Sequence, residues 1–259
     1  MSVLESIIAG VLADQKSRQL SDAELAERIA SVGEVRDPLQ SLTSQDFSVI
    51  AEVKRSSPSK GMLAKISDPA QLAALYEDGG ASVISVLTEQ QRFGGSLQDF
   101  VDVRARVSIP MLRKDFIVNE YLVRESRAFG ADLLLLIVAA LDDAQLQDLY
   151  TLARELGMRA LVEVHDSEEL ERAMRISPEI IGVNARNLKT LEIDLGNFRS
   201  LLPRIPSEIY RIAESGIATI DDVKLAKESG ASAILVGETL VKSGDPASTI
   251  AEFLSVKNS

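Results

Sequence analysis

The chain has 259 residues, 46% of them apolar and 26% charged, a soluble balance in a length that can bury a large core. It has no cysteine and one histidine, His165, which excludes disulfides, thiolate nucleophiles, sulfur-bound metals, His-based catalytic pairs and multi-histidine metal sites. Acid–base chemistry therefore falls to Lys, Glu, Asp or Tyr. A net charge of −11 disfavours broad binding to nucleic acid or anionic membrane, though not a local cationic pocket.

Residues 1–46 carry their own helical pattern. Leu4, Ile7, Ile8, Val11 and Leu12 recur at helical spacing behind a Ser2/Glu5 capping box, and Ser21 with Glu24 repeats that signature before Leu25 and Ile29. Two such helices need a surface to cover. They either cap one end of a core or help enclose a site, and the residues alone fit both readings. The N-terminus has no basic start and no small-residue cleavage site. The longest apolar run, Leu133 to Leu141, is nine residues, short of a membrane span. A cytoplasmic protein is expected.

Eight short apolar runs follow at intervals of twenty to thirty-odd residues: 48–53, 82–87, 110–113, 132–138, 159–164, 180–183, 210–213 and 233–236. Amphipathic segments lie between them. Asp68-Pro69 opens one with a cap and a first-turn proline, and Gly79-Gly80 closes it. Asn119, Asp142, Asp166 and Thr219 stand as caps for four more. Gly-Ala-Ser or Gly-Ala-Asp precedes three strands, at Gly80, Gly130 and Gly230, reading as a helix-ending glycine and immediate strand entry. Eight strand–helix units predict an α/β fold, a (β/α)8 TIM barrel, as one domain over 1–259 with 1–46 as an N-terminal helical extension. A doubly wound open sheet is the competitor, but no glycine-rich fingerprint follows the first strand.

In the first strand Ile50, Glu52 and Lys54 share one face, so a carboxylate and an ammonium stand where the neighbouring residues are interior. Active sites of this fold form at the C-terminal strand ends. Those ends read Glu52 and Lys54, Thr88-Glu89, Lys114-Asp115, Glu163, Asn184 with Arg186, Glu214-Ser215-Gly216, and Gly237-Glu238. Barrel closure brings them into a bowl where lysines and glutamates share protons without histidine. Glycines after strands seven and eight stand where this fold often binds phosphate through backbone N–H groups, and Ser57 offers a hydroxyl. Phe93 is either loop packing or the wall of an aromatic pocket. His165 reads as a loop residue or a support rather than a catalyst.

These motifs resemble the indole-3-glycerol phosphate synthase family of tryptophan biosynthesis. The resemblance runs from about 45 to 240 and rests on Glu52-x-Lys54 with Ser57-Pro58-Ser59-Lys60-Gly61, Leu87-Thr88-Glu89 with Phe93, Leu112-Arg113-Lys114-Asp115-Phe116, Leu161-Val162-Glu163-Val164-His165, Gly182-Val183-Asn184-x-Arg186-Asn187-Leu188-Lys189-Thr190, Ala213-Glu214-Ser215-Gly216-Ile217 and Leu235-Val236-Gly237-Glu238. Ser56 and Ala185 depart from residues common in the family, at positions given no chemistry. The resemblance implies ring closure of 1-(2-carboxyphenylamino)-1-deoxyribulose 5-phosphate with loss of carbon dioxide and water. It implies no metal or organic cofactor; a monomer is expected, though no residue pattern reads out the oligomeric state. It assigns Lys114 as general acid, Lys54 to the substrate carboxylate or to proton delivery, Glu163 as base or acid in dehydration, and Glu52 to positioning. Asn184, Arg186 and Glu214 orient substrate, and Phe93, Phe116 and Leu188 line the anthranilate pocket. Ser57, Ser215, Gly216, Gly237 and the Glu238 backbone hold phosphate. Another phosphate-binding barrel, an isomerase or epimerase, shares the glycines but not the lysines of strands one and three. A non-catalytic barrel that binds a phosphorylated metabolite is the alternative from outside enzymology.

Overall fold

The computed structural model describes residues 2–256; the ends of the expected 1–259 span, residue 1 and residues 257–259, lie outside it. Eight parallel strands close into a barrel in chain order. They are β1 (Ser48–Val53), β2 (Val83–Leu87), β3 (Met111–Lys114), β4 (Leu133–Ile137), β5 (Arg159–Val164), β6 (Ile180–Asn184), β7 (Tyr210–Glu214) and β8 (Ala233–Val236). All six residues of β1 are buried, as expected of a strand covered on both faces.

Where the strand limits differ from the sequence reading, backbone hydrogen bonding is the reason. Pro110 has no N–H to give, so β3 begins at Met111 and runs on to Lys114, whose carbonyl accepts from the Thr88 N–H. Asn184 and Glu214 are polar yet belong to β6 and β7, where they pair with each other. Ladder bonds are indifferent to side-chain polarity.

Each expected cap is formed by its side chain: Asp68, Asn119, Asp142, Asp166 and Thr219 accept from the N–H three residues on. Gly80, Gly130 and Gly230 take φ of +95°, +89° and +100°. The residue after each donates back into the helix just ended, as Ala81 N–H does to the Tyr76 carbonyl at 3.1 Å. That is a Schellman stop, and it turns the chain straight into the next strand.

The two N-terminal helices part company. Helix α1 (Val3–Arg18) crosses the C-terminal mouth of the barrel with Val3, Leu4 and Ile7 toward the opening. Helix α2 (Asp22–Ser31) buries only Leu25 and lies against the side of the barrel, with Arg28 over the ring of Phe129. The end of α1 is tied to β3 by a buried ion network. Arg18 forks onto Glu125 at 3.0 and 2.9 Å, and Glu125 also accepts from Arg113 at 2.8 Å. Arg113, fully buried, reaches Asp115 at 3.1 Å, which accepts from the Thr88 hydroxyl at 2.6 Å.

Removing one partner from a buried ion network leaves the others desolvated and uncompensated. Arg113→Ala should therefore cost about 3–5 kcal/mol, read as a lowered urea midpoint. A midpoint within error of the parent would mean that Glu125 and Asp115 do not depend on it.

Candidate active site

The C-terminal strand ends place a ring of charges at the floor of the mouth. Lys54 continues the inward face of Ile50 and Glu52, and its Nζ lies 2.6 Å from Glu52 Oε1. Lys114, the last residue of β3, stands near the centre. Its Nζ is 3.3 Å from Glu214 Oε2, 3.6 Å from Glu163 Oε2 and 3.9 Å from Glu52 Oε2. The Lys114 side chain is 14% exposed, and the three carboxylates are at most 3% exposed. Gly182 pairs with Glu163 across the sheet and makes room for this cluster, since a Cβ there would lie 2.0 Å from Glu214 Oε1.

Burial works against every charge in the ring, and the neighbours decide each outcome. Burial opposes the Lys114 ammonium, but Glu214, Glu163 and Glu52 outweigh it and hold the group charged far above the ordinary lysine value. Burial likewise raises Glu52, and Lys54 with Lys114 outweigh it, leaving the carboxyl below its usual range. Glu163 falls the same way, with Lys114 and His165 overcoming burial. Glu214 goes in the opposite direction. Burial raises it, Lys114 offsets only part, and the negative Glu163 adds to the rise, pushing it up to about 8.

Two chambers meet at the lysines. The larger, an open cavity of about 850 Å³, is walled by Phe93, Phe116 and Leu188, with Val3, Leu4 and Ile7 of α1 above. The Phe93 and Phe116 rings are 6.1 Å apart and tilted by 38°. The smaller chamber is polar and is bounded by Glu214, Ser215, Gly216, Gly237 and Glu238. Gly216 has φ of +78°, and Ser215 holds +67°, which few side-chain-bearing residues adopt. Gly237 has no such dihedral. It is required by close approach, because a Cβ would lie 2.6 Å from Glu52 Oε1. Ser57 lines the larger chamber, and its buried Oγ has no hydrogen-bond partner among the described residues.

The two chambers share Glu52, Lys54, Lys114, Arg186, Ser215 and Glu238. Every residue that the sequence reading named for catalysis, substrate or phosphate borders one of the two. Asn184 Oδ1 accepts from the Arg186 N–H at 2.9 Å, and the Arg186 guanidinium donates to Ser59 Oγ at 3.1 Å and to the Leu191 carbonyl at 2.9 Å. The Glu238 carboxylate turns to Lys60 and Lys242, at 2.6 and 2.8 Å, leaving its backbone at the polar chamber.

Two strand-end residues have other work. Glu89 accepts from the N–H groups of Gln91, Arg92 and Phe93 at 3.1, 2.7 and 2.9 Å, and so shapes the loop that presents Phe93. Thr88 belongs to the Arg113 network. Sequence reading did not single out Leu135 and Ile137 of β4 as walls, or Ser59 and Leu191 as anchors of Arg186; for the N-terminal helices it left core capping and site enclosure open, and α1 takes the second. The apolar periodicity of α1 marked Leu4 and Ile7 as packing, but periodicity does not name the surface they pack on.

A family model described as indole-3-glycerol phosphate synthase matches residues 4–253. An indole-3-glycerol phosphate synthase from Arthrobacter sp. is 55% identical over 260 residues, covering 98% of this chain and 96% of its own. One from Nocardioides sp. is 55% identical over the whole of both chains. Indole-3-glycerol phosphate synthase 1 of Streptomyces coelicolor is 54% identical over 257 residues, 98% of this chain and 96% of its own. Among solved structures, a thiamine phosphate pyrophosphorylase from Pyrococcus furiosus superposes with a TM-score of 0.60 over 82% of this chain and 95% of its own. At 14% identity that is a likeness of fold alone. The match along nearly the whole length and the end-to-end identity above one half lead to one conclusion: the chain belongs to the indole-3-glycerol phosphate synthase family.

Proposed function

We propose that this chain is a decarboxylating lyase that closes 1-(2-carboxyphenylamino)-1-deoxyribulose 5-phosphate to indole-3-glycerol phosphate, working as a single domain. One observation carries the reading. A buried ammonium, Lys114, stands among three carboxylates where an apolar chamber joins a small polar one. A substrate with an aromatic acid at one end and a phosphate at the other fits that division, with its carbonyl falling at the lysines.

The phosphate occupies the polar chamber, taken by the backbone of Ser215, Gly216, Gly237 and Glu238. From the larger chamber, where the two join, Ser57 offers it a hydroxyl that has no partner among the described residues. The anthranilate ring lies between Phe93, Phe116 and Leu188. Lys54 faces its carboxylate, with Glu52 fixing Lys54 from behind. Asn184 and Arg186 orient the sugar.

The ring carbon bearing the carboxylate attacks the ketone, and negative charge develops on the carbonyl oxygen. Lys114 stabilises that oxygen and delivers its proton. The surrounding carboxylates hold the amine charged until that negative charge appears beside it, so the proton is in place when it is needed. Loss of carbon dioxide restores aromaticity, and dehydration completes the indole. Glu163, held ionised, suits the base of that last step rather than its acid. Glu214 in its acid form donates to the substrate without adding a second negative charge.

Lys114→Met should lower turnover by about 10²–10⁴-fold, followed by indole fluorescence as the product forms. Near-normal turnover would remove the general-acid assignment. Titration of the parent protein with the carboxyphenylamino sugar phosphate separates enzyme from metabolite binder, since a binder saturates without yielding indole. Glu214 retains its proton in the fold across pH values where the unfolded carboxyl has lost it. Stability should therefore fall as pH rises from the ordinary carboxylate value toward about 8. Glu214→Gln should abolish that fall, so its urea midpoint gains on the parent's between about pH 5 and 8. Parallel pH curves for the two proteins would show that Glu214 is ionised in the fold.

A further inference from the structure

The one histidine of the chain lies behind the catalytic cluster, not on the surface. His165 follows β5 by one position, and its side chain is 9% exposed. Its ring lies between two carboxylates, with Nε2 3.3 Å from Glu163 Oε1 and Nδ1 2.9 Å from Glu169 Oε2. Glu169 is itself fixed. Its Oε2 accepts the His165 main-chain N–H at 2.8 Å, and its own N–H is capped by Asp166 at 2.9 Å. Asn197 Nδ2 donates to the His165 carbonyl at 3.2 Å. Nε2 is buried, and among the described residues its polar neighbour is Glu163 Oε1, which it meets both by charge and as a long donor.

On the far side of Glu163 lies Glu214. Glu163 Oε2 and both oxygens of Glu214 are buried and have no hydrogen-bond donor among the described residues. Glu163 and Glu214 converge on one ammonium, 3.6 and 3.3 Å from Lys114 Nζ, and two buried carboxyls crowded there favour a single retained proton, because the second ionisation meets the negative charge of the first. The surroundings decide which one holds it. Lys114 does little to choose, standing 3.6 Å from one and 3.3 Å from the other. Within 4 Å the cations beside Glu163 are Lys114 and His165, whereas among the described residues Glu214 has Lys114 alone. His165 is the difference.

We infer that His165, aligned by Glu169, is a positioning residue that assigns the proton shared by Glu163 and Glu214 to Glu214, so that Glu163 stands free as the base. This rests on the reading of Glu163 as the base of dehydration. The same geometry keeps the imidazole cationic: burial opposes its charge, but Glu163 and Glu169 outweigh it and raise the ring to about 10.

A lone histidine gives a single set of imidazole resonances, so NMR of the untagged, substrate-free protein reads this directly. The ring should stay cationic through about pH 8, and a midpoint near the ordinary value of about 6.5 would overturn the inference. The second measurement is the pH profile of kcat for His165→Gln. Loss of the cation raises Glu163, so the acid limb should move up by at least about one unit, with KM changed less than about twofold. A fall in kcat that is the same at every pH, or an unmoved limb, would assign His165 to packing alone. Glu169→Gln keeps an acceptor for Nδ1 without the charge and should move the limb the same way by less. It supplies the readout if His165→Gln does not fold. Full turnover in Glu163→Gln would remove the base assignment itself, whereas an ordinary titration of His165 leaves that assignment standing and removes only this role.

Discussion

The arrangement depends on one constraint, the charge balance around Lys114. Three carboxylates, Glu52, Glu163 and Glu214, face two ammoniums, Lys54 and Lys114, and none of the five side chains is more than 19% exposed. Full ionisation would leave one uncompensated negative charge, and burial makes that expensive. A proton retained on Glu214 relieves the excess. The ring then becomes neutral as a whole while each group is strongly biased toward one state. A substrate with two anionic ends enters a pocket whose cations are already fixed in place, so little reorganisation is left for the moment of reaction.

What surrounds the ring keeps those positions. Gly182 and Gly237 have no side chain where one would collide with Glu214 or Glu52. The Arg113 network grips β3 on either side of Lys114 and carries that grip through Glu125 to the end of α1. The helix that walls the apolar chamber and the strand that bears the central lysine are thus joined by buried ions as well as by apolar packing. The β1 loop is held down from the far side, where Arg186 reaches Ser59 and Glu238 reaches Lys60. The Lys60–Glu238 pair is far more exposed than the Arg113 network and is therefore the weaker tie.

The barrel was legible because its signals are local. Caps at Asp68, Asn119, Asp142, Asp166 and Thr219 and the positive-φ stops at Gly80, Gly130 and Gly230 each act within a few residues of chain. The polar strand ends were legible for a related reason: a Glu or Lys on an otherwise apolar inward face has no ordinary structural cause. Which of its two readings α1 would take, capping the core or walling the site, was not legible, since an amphipathic helix announces that it packs but not against what. Glu89 misled for the opposite reason, since it stands at a strand end but spends its carboxylate on its own loop.

By itself the sequence determined the alternation of strands and helices, their order, and which side chains stand at the strand ends, because periodicity, capping and turn chemistry are short-range. Tertiary structure alone decided how the charges are shared. His165 is the clearest instance. In the sequence it is an isolated residue after a strand, and in the fold it is an imidazole between Glu163 and Glu169. The pull on a proton depends on distance through space and on the exclusion of water. Residues as far apart in the chain as Glu52 and Glu214 acquire both only when the ring of strands closes.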